Sequence, residues 1–117
     1  MNGIQKNIER NMAYKVVETE AFKKSLNETF DYIITNFDNP KTISDMLDII
    51  DNVSELLKIF PDMYSIFEPS YELGIVVRKF PVKNYFVFYT IDDKIEEVQY
   101  LKIIHSSRNF YEINYIN

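Results

Sequence analysis

The chain contains no cysteine and no tryptophan, and it has only two glycines and four prolines among its 117 residues. Without cysteine, disulfide bonds and thiolate metal ligands are excluded, and a reducing cytoplasm is the compartment that we expect. Few glycines leave few positions where a positive φ is free of strain, which favours helices and strands over loops. No stretch approaches the ~18 apolar residues of a membrane span, and residues 1–12 lack the apolar segment of a secretory signal. We therefore expect a cytoplasmic protein that does not contact a membrane.

Charge is distributed unevenly along the chain. The formal net charge of −5 argues against a general nucleic-acid binder, because neutralising phosphate requires clustered lysine and arginine. Carboxylates dominate residues 26–72, whereas the charged residues within 73–91 and 98–111 are all basic. These basic residues are Arg78, Lys79, Lys83, Lys102 and Arg108. Two interpretations stay open and are compatible: solvated carboxylates on helices, and a basic working surface in the C-terminal part.

The first half of the chain predicts one strand followed by two helices. Residues 14–17 are prone to form a strand, and Thr19 then offers a hydroxyl to cap a helix. Apolar residues next recur at three- and four-residue steps, which predicts a buried helical stripe of Phe22, Leu26, Phe30, Ile33 and Phe37. Asn39-Pro40 fits the start of a second helix, which Pro61 ends. With so short a connection, the two helices should pack as an antiparallel hairpin.

The second half of the chain predicts three strands. Residues 61–74 mix prolines, a glycine and aromatics without a period and are interpreted as a loop. Residues 75–80, 85–91 and 95–104 are rich in β-branched and aromatic side chains and are separated by short turn segments. Strands joined by such short turns form an antiparallel meander.

The order β-α-α-β-β-β predicts an α+β fold, with the helical hairpin packed on one face of a small, mainly antiparallel sheet. We assign residues 13–117 to one domain and the polar residues 1–12 to an N-terminal extension. If Val77 points into the core, strand alternation sends Arg78 and Phe80 to the opposite face, a cation beside an aromatic ring. The sheet face away from the helices is therefore where we expect a functional surface.

Two C-terminal segments carry a specific order of features: VVRKFPVKNYFVFYTI and, after a short acidic turn, VQYLKIIHSSRNFYEI. An arginine-containing strand leads into a proline-centred turn, an aromatic strand that opens with tyrosine, and a last strand that ends in a His-x-x-Arg segment. The residues at these places are Arg78, Pro81, Tyr85, Tyr89, His105 and Arg108. Behind a helical hairpin, this order resembles the RelE/ParE family of toxins from bacterial type II toxin-antitoxin systems, over about residues 14–113.

The resemblance implies a toxin that inhibits growth and is held inactive by a small antitoxin encoded beside it, as in plasmid stabilization systems. The pair is expected to contact operator DNA only through the antitoxin. The family divides by mechanism: RelE-like members cleave messenger RNA in the ribosomal A site, whereas ParE-like members inhibit DNA gyrase. The target is therefore the ribosome with its mRNA, or DNA gyrase.

Cleavage of RNA by its own 2′-OH requires a base, cations that hold the phosphate and an acid for the leaving oxygen, but no metal. The candidates for this catalytic work are Arg78, His105, Arg108 and Tyr111. The candidates for contact with RNA or another target are Lys79, Lys83, Phe86 and Phe88. We expect no cofactor and no metal site, since the acids Asp45, Asp48 and Asp51 fit a solvated helix face.

Phe86 departs from the nuclease pattern. RelE-like nucleases typically carry an arginine after the tyrosine that opens the central strand, and a phenyl ring does not replace a bidentate phosphate ligand. His105 also fits a packing role, and Arg108 also fits a salt bridge to Glu112. Ribosome-dependent mRNA cleavage is the first hypothesis. A ParE-like gyrase inhibitor without nuclease activity and an inactive interaction module of the same fold are the alternatives.

Overall fold

The computed structural model describes residues 14–67 and 74–110. Its elements are β1 (Lys15–Glu18), α1 (Glu20–Phe37), α2 (Pro40–Leu57), β2 (Arg78–Val82), β3 (Tyr85–Asp92) and β4 (Glu97–His105). This is the predicted β-α-α-β-β-β order. Among the residues that the structure describes, neither helix is long and apolar enough to cross a membrane.

Side-chain caps fix where the two helices begin. The Thr19 hydroxyl accepts a hydrogen bond from the backbone N–H of Phe22 at 3.1 Å and donates one to the carbonyl of Tyr100 at 2.7 Å. Asn39 accepts from the N–H of Thr42 at 3.2 Å, with Pro40 in the first turn. Both helices therefore begin at the predicted residues, and the first cap also attaches α1 to β4.

The four strands form one sheet in the order β1-β4-β3-β2. The last three are an antiparallel meander, as predicted, whereas β1 pairs in parallel with β4. The register of β3 and β4 shifts between Phe88 and Tyr89: Phe88 lies opposite Lys102, and Tyr89 lies opposite Tyr100. Leu101 is thus the extra residue of a β-bulge, which turns the side chains before and after it to different faces.

The helices cover one face of the sheet and enclose the main core. Its largest fully buried side chains are Phe22, Met46, Leu57, Phe80, Tyr89 and Tyr100. The two tyrosine hydroxyls are satisfied inside this core: Tyr89 donates to the carbonyl of Pro61 at 2.9 Å, and Tyr100 shares a 2.6 Å hydrogen bond with Ser54. Buried polar groups that find such partners avoid a desolvation penalty of about 1–3 kcal/mol.

The opposite face is closed by a second, smaller apolar cluster. Its buried members are Phe67, Val77, Phe88, Leu101 and Ile104, with Phe86 and Phe110 partly buried against them. We call this set the outer cluster. Ile66 also forms a bridge with Arg78, which covers part of the free edge of β2.

Two expectations about side-chain direction were wrong. Val77 is buried in the outer cluster and Phe80 in the helix-side core, so that Phe80 does not face away from the helices. The alternation holds, since the two residues still lie on opposite faces, but the condition that Val77 points into the core is not met, so both faces are reversed. The strand β2 itself begins three residues later than predicted, at Arg78. Phe37, placed in the buried stripe of α1, is 65% exposed, because the helix runs past the end of the core.

Candidate functional site

A groove of about 1040 Å³ lies between α1, the first turn of α2, the β2–β3 turn and the end of β4. Its wall on α1 includes Lys24, Glu28 and Tyr32, which recur every four residues and so share one face, and Phe37 at the end of the helix. The opposite wall includes Lys83, Tyr85, His105, Ser107 and Arg108. The groove therefore brings together three residues predicted to be functional, His105, Arg108 and Lys83, with residues of α1 that were not predicted to be functional.

Backbone hydrogen bonds hold the wall that carries His105 in place. The N–H of Ser106 donates to the carbonyl of Asn84 at 2.8 Å, and the N–H of Arg108 donates to the carbonyl of His105 at 3.0 Å. Tyr85 lies opposite His105 in the sheet, and their rings meet edge to face with centroids 5.0 Å apart. Burial raises the pKa of Tyr85, so its hydroxyl remains a neutral hydrogen-bonding group at physiological pH.

His105 is held in one tautomer by its neighbour. The backbone N–H of Ser107 donates to Nδ1 at 3.1 Å, and the Ser107 hydroxyl lies 2.7 Å from the same atom. A backbone N–H is always a donor, so Nδ1 carries the lone pair and the neutral ring carries its proton on Nε2. His105 therefore offers its Nε2–H as a donor to a ligand in the groove.

Arg78 lies far from this groove. It pairs with Tyr89 across β2 and β3, whereas His105 pairs with Tyr85 across β3 and β4. Four residues along the strands and two strand spacings separate Arg78 from His105, which is roughly 17 Å between Cα atoms. The Arg78 guanidinium donates to the carbonyl of Tyr64 at 2.7 Å and of Asp62 at 3.3 Å. Arg78 thus holds the loop after α2, and the structure does not bring it together with His105.

The remaining candidates for target contact belong mostly to the outer cluster. The Lys79 ammonium lies 4.1 Å from the ring centroid of Phe86, 5.0 Å from that of Phe110 and 5.6 Å from that of Phe67. Phe88 is fully buried. Lys79 is therefore engaged by aromatic faces through cation–π attraction. Tyr111 and Glu112 lie outside the described residues, as does the proposed extension at residues 1–12.

Lys83 is tied to the acidic face of α2. Its ammonium lies 3.4 Å from a carboxylate oxygen of Asp45, whose other oxygen lies 3.2 Å from Lys41. The hydrogen bond from Lys41, assisted by Lys83, lowers the pKa of Asp45. Within residues 14–67 and 74–110, no group of three histidine or acidic side chains is placed to hold a metal ion.

Sequence reasoning did not assign Lys24, Glu28 and Tyr32 to a site, and it placed Phe37 in the buried stripe; these four residues belong to the α1 wall of the groove. Phe37 carried a usable signal, because it is the last apolar residue of the α1 stripe and lies directly before the end of the helix. Lys102, counted as basic in the sequence, also borders the groove. Its strand partner is Phe88 of the outer cluster, which places its side chain on the outer face.

Comparisons with known proteins agree with this architecture. A family model described as the ParE toxin of the type II toxin-antitoxin system parDE matches residues 16–110. A solved structure described as the chromosomal ParDE TA system from P. aeruginosa has a TM-score of 0.61 at 18% identity, covering 80% of this chain and 97% of that chain. An archaeal RelE-RelB complex from Pyrococcus horikoshii OT3 has a TM-score of 0.46 at 15% identity, with 83% and 99% covered.

No curated protein sequence is similar enough to count as a match. The likeness to the P. aeruginosa structure, at its low identity, shows the fold alone. The family model spans most of the chain, including both helices, the last three strands and all of β1 except Lys15. The resemblance inferred from the sequence is thereby confirmed: the chain belongs to the ParE toxin family, within the RelE/ParE group, and is the toxin of a type II toxin-antitoxin system.

Proposed function

We propose that this toxin stops growth by binding DNA gyrase in the cytoplasm, and that it does not cleave messenger RNA. The observation that carries the proposal is the separation of Arg78 from His105, roughly 17 Å, by strand spacing. A nuclease that used both would need them around one scissile phosphate, within hydrogen-bond reach of about 3 Å. The separation, with the Arg78 guanidinium turned to the loop after α2, supports a function in which the two residues do not share a phosphate.

The hydrogen bonds of Arg78 support the same conclusion. Its guanidinium is committed to the carbonyls of Tyr64 and Asp62 on the loop after α2. Releasing it to hold a phosphate would leave those carbonyls without the arginine and would loosen the loop. A cation that already serves as a structural donor is poorly suited to preorganised transition-state stabilisation.

The hydrogen bonding of His105 also does not favour a role as general base. The lone pair of the neutral ring lies on Nδ1, and that atom already accepts from the N–H of Ser107. Removing a proton from a 2′-OH would require His105 to turn away from Ser107 or to change tautomer. Binding requires neither, since Nε2–H makes no hydrogen bond with any residue in 14–67 or 74–110.

The outer sheet face supports binding over cleavage as well. At the position where RelE-like nucleases carry an arginine, Phe86 packs edge to face on Phe110 at 6.0 Å and holds the ammonium of Lys79. This face is therefore occupied by internal packing of the outer cluster. The family match is to a ParE toxin, and ParE-like members of the group inhibit gyrase, which is the function that we assign to this chain.

One observation favours the second candidate, ribosome-dependent mRNA cleavage. His105 and Arg108 do share the groove, so a titratable ring and a cation lie within the same site. In that case Arg78 would have no catalytic role, and Arg108 would hold the phosphate.

The test compares two purified reactions. Negative supercoiling by gyrase of the host bacterium is measured with increasing toxin, and purified translation is measured with mapping of message ends. Inhibited supercoiling with intact message supports the proposal. Codon-specific cleavage in ribosomes that falls at least a hundredfold in His105→Ala, but not in Arg78→Ala, would establish the second candidate. If the wild-type chain neither inhibits supercoiling nor cleaves the message, an inactive interaction module remains.

A further inference from the structure

We propose that the toxin docks on gyrase through the end of the molecule opposite the groove, where an exposed apolar patch is bordered by carboxylates. The occupant of this patch is a lysine- and arginine-rich surface of the enzyme. The inference rests on the proposed function, since it names the surface with which the toxin would bind its target. Docking through this end leaves the groove between α1 and the end of β4 accessible.

The apolar patch consists of Leu56, Phe60 and Met63, at the end of α2 and in the loop that follows it. Their side chains are 44%, 52% and 45% exposed, respectively. The N–H of Phe60 donates to the carbonyl of Leu56 at 2.8 Å, and the N–H of Met63 donates to the carbonyl of Phe60 at 3.2 Å. Single exposed apolar residues are common on protein surfaces, but three large ones held on one short segment are typical of a binding site.

The loop that carries the patch is held from the side of the sheet. The Tyr89 hydroxyl donates to the carbonyl of Pro61 at 2.9 Å. The Arg78 guanidinium donates to the carbonyls of Asp62 and Tyr64 at 3.3 and 2.7 Å. An ordered segment loses less conformational freedom on binding than a loose one, which favours affinity. Arg78, a candidate for nuclease chemistry in the sequence, therefore shapes this surface instead.

Carboxylates from two separate segments border the patch. Asp62 belongs to the loop after α2, whereas Asp93 and Glu96 belong to the β3–β4 turn, in which Lys94 supplies the one positive charge. The hydrogen bond from Tyr14 to Asp93 is the largest cause of the raised pKa of Tyr14, and burial and the charges of Asp93, Glu96 and Asp62 add to it. All three carboxylates thus lie close enough to act on one hydroxyl. None of them forms a salt bridge within the described parts of the chain.

The patch and the groove lie at opposite ends of the sheet. Tyr85 borders the groove at the start of β3, and Asp92 ends that strand beside the acidic turn. Seven residue steps separate the two, which is roughly 24 Å along a strand. The groove end carries the cations Lys83 and Arg108, whereas the patch end carries the three carboxylates. A partner with clustered cations is therefore attracted to the patch and repelled from the groove.

Charge complementarity identifies the chemistry of the occupant. Gyrase acts on DNA, and a protein that binds DNA neutralises its phosphates with clustered lysine and arginine. A toxin of net charge −5 that presents carboxylates around an apolar contact fits such a surface, whereas a nucleic acid would be repelled by the same carboxylates. The carboxylates orient the two proteins, and the apolar patch contributes the buried contact.

The first test removes the aromatic ring of the patch. The affinity of the toxin for purified gyrase without DNA is measured by calorimetry. Phe60→Ala should weaken binding about tenfold, as expected for an aromatic anchor. Phe37→Ala removes a ring that is 65% exposed at the other end of the molecule, and it should change the affinity by less than about twofold. Thermal melting of each variant checks that the fold is intact.

The second test reverses charges beside the patch. Asp62→Lys and Glu96→Lys should each weaken binding to gyrase about tenfold at low salt and less at high salt, because salt screens the attraction that they remove. Asp31→Lys changes an exposed carboxylate in the middle of α1 and is the matched control. It should change the affinity by less than about twofold.

The outcomes separate this inference from the proposed function. If the wild type binds gyrase and inhibits supercoiling, but the folded patch variants bind equally well, the docking surface is wrong and the proposed function stands. A wild-type chain that neither binds gyrase nor inhibits supercoiling would overturn both. Equal losses in the patch and control variants would show a general effect of charge and would also overturn the docking surface.

Discussion

Replacing Phe86 by arginine tests whether the outer face is a second core or an unfilled phosphate site. The change restores the residue type that RelE-like nucleases carry at this position. In this chain the new guanidinium would lie where the Phe86 ring now contacts the Lys79 ammonium, 4.1 Å away. We expect the substitution to destabilise the fold and to create no nuclease activity.

The expected cost has three contributions. Loss of the cation–π contact costs about 0.5–2 kcal/mol. Loss of the edge-to-face contact with Phe110 costs about 0.5–1.5 kcal/mol. Two cations about 4 Å apart at this partly buried site repel by about 1 kcal/mol or more, depending on how far water screens them. Their sum is about 3 kcal/mol, a large share of the stability of a small domain.

Urea denaturation of the wild type, Phe86→Arg and Phe86→Leu measures this cost. Phe86→Leu keeps an apolar side chain and adds no charge, so it should lose only about 1–2 kcal/mol. Part of the loss in Phe86→Arg should disappear in high salt, because salt screens the repulsion. Equal stability of the two variants at low salt would show that Lys79 is not held over this ring. Message cleavage gained by Phe86→Arg would refute the interpretation of the outer face.

Three further substitutions probe individual contacts. Thr19→Ala removes both a helix cap and a bond to a strand carbonyl and should cost about 2 kcal/mol in urea denaturation. Asn39→Ala, which removes a cap alone, should cost about 1 kcal/mol; equal losses would contradict the dual role of Thr19. Arg78→Ala should cost about 2 kcal/mol by freeing the loop carbonyls, and an unchanged free energy would contradict its structural role. The hydrogen bond from Tyr14 to Asp93 raises the pKa of Tyr14 from 10.0 to about 12. The stability that this bond supplies is present below pH 10.0 and is lost as the pH rises toward about 12. The difference in the free energy of unfolding between wild type and Tyr14→Phe should therefore shrink over this range; a constant difference would count against the bond.

Local signals predicted the elements of this fold well. The caps at Thr19 and Asn39 and the proline at position 40 act within one helical turn, so the sequence nearby is sufficient to place them. The direction in which the side chains of β2 point was harder to predict from the sequence. Both faces were reversed because they were derived from the condition that Val77 points into the helix-side core, and Val77 instead belongs to the outer cluster. Pro81 is tolerated in β2 because β2 is an edge strand.

The candidate site was predicted only in part, for a related reason. His105, Arg108 and Lys83 lie close in sequence to strand ends, and the order of features around them carried the family resemblance. Lys24 and Phe37 enter the groove only because α1 packs across β4, which depends on contacts between distant parts of the chain. The bulge at Leu101, which sends the side chain of Lys102 outward, is equally invisible to a simple alternation of residues.

The parallel pairing of β1 with β4 has a consequence for synthesis on the ribosome. The cap residue of α1 bonds to Tyr100, 81 residues later in the chain, so the first strand and first helix have no sheet to join until the last strand has emerged. Contacts this distant in sequence close late and slow folding. Because the groove needs both α1 and β4, an incomplete nascent chain cannot present it.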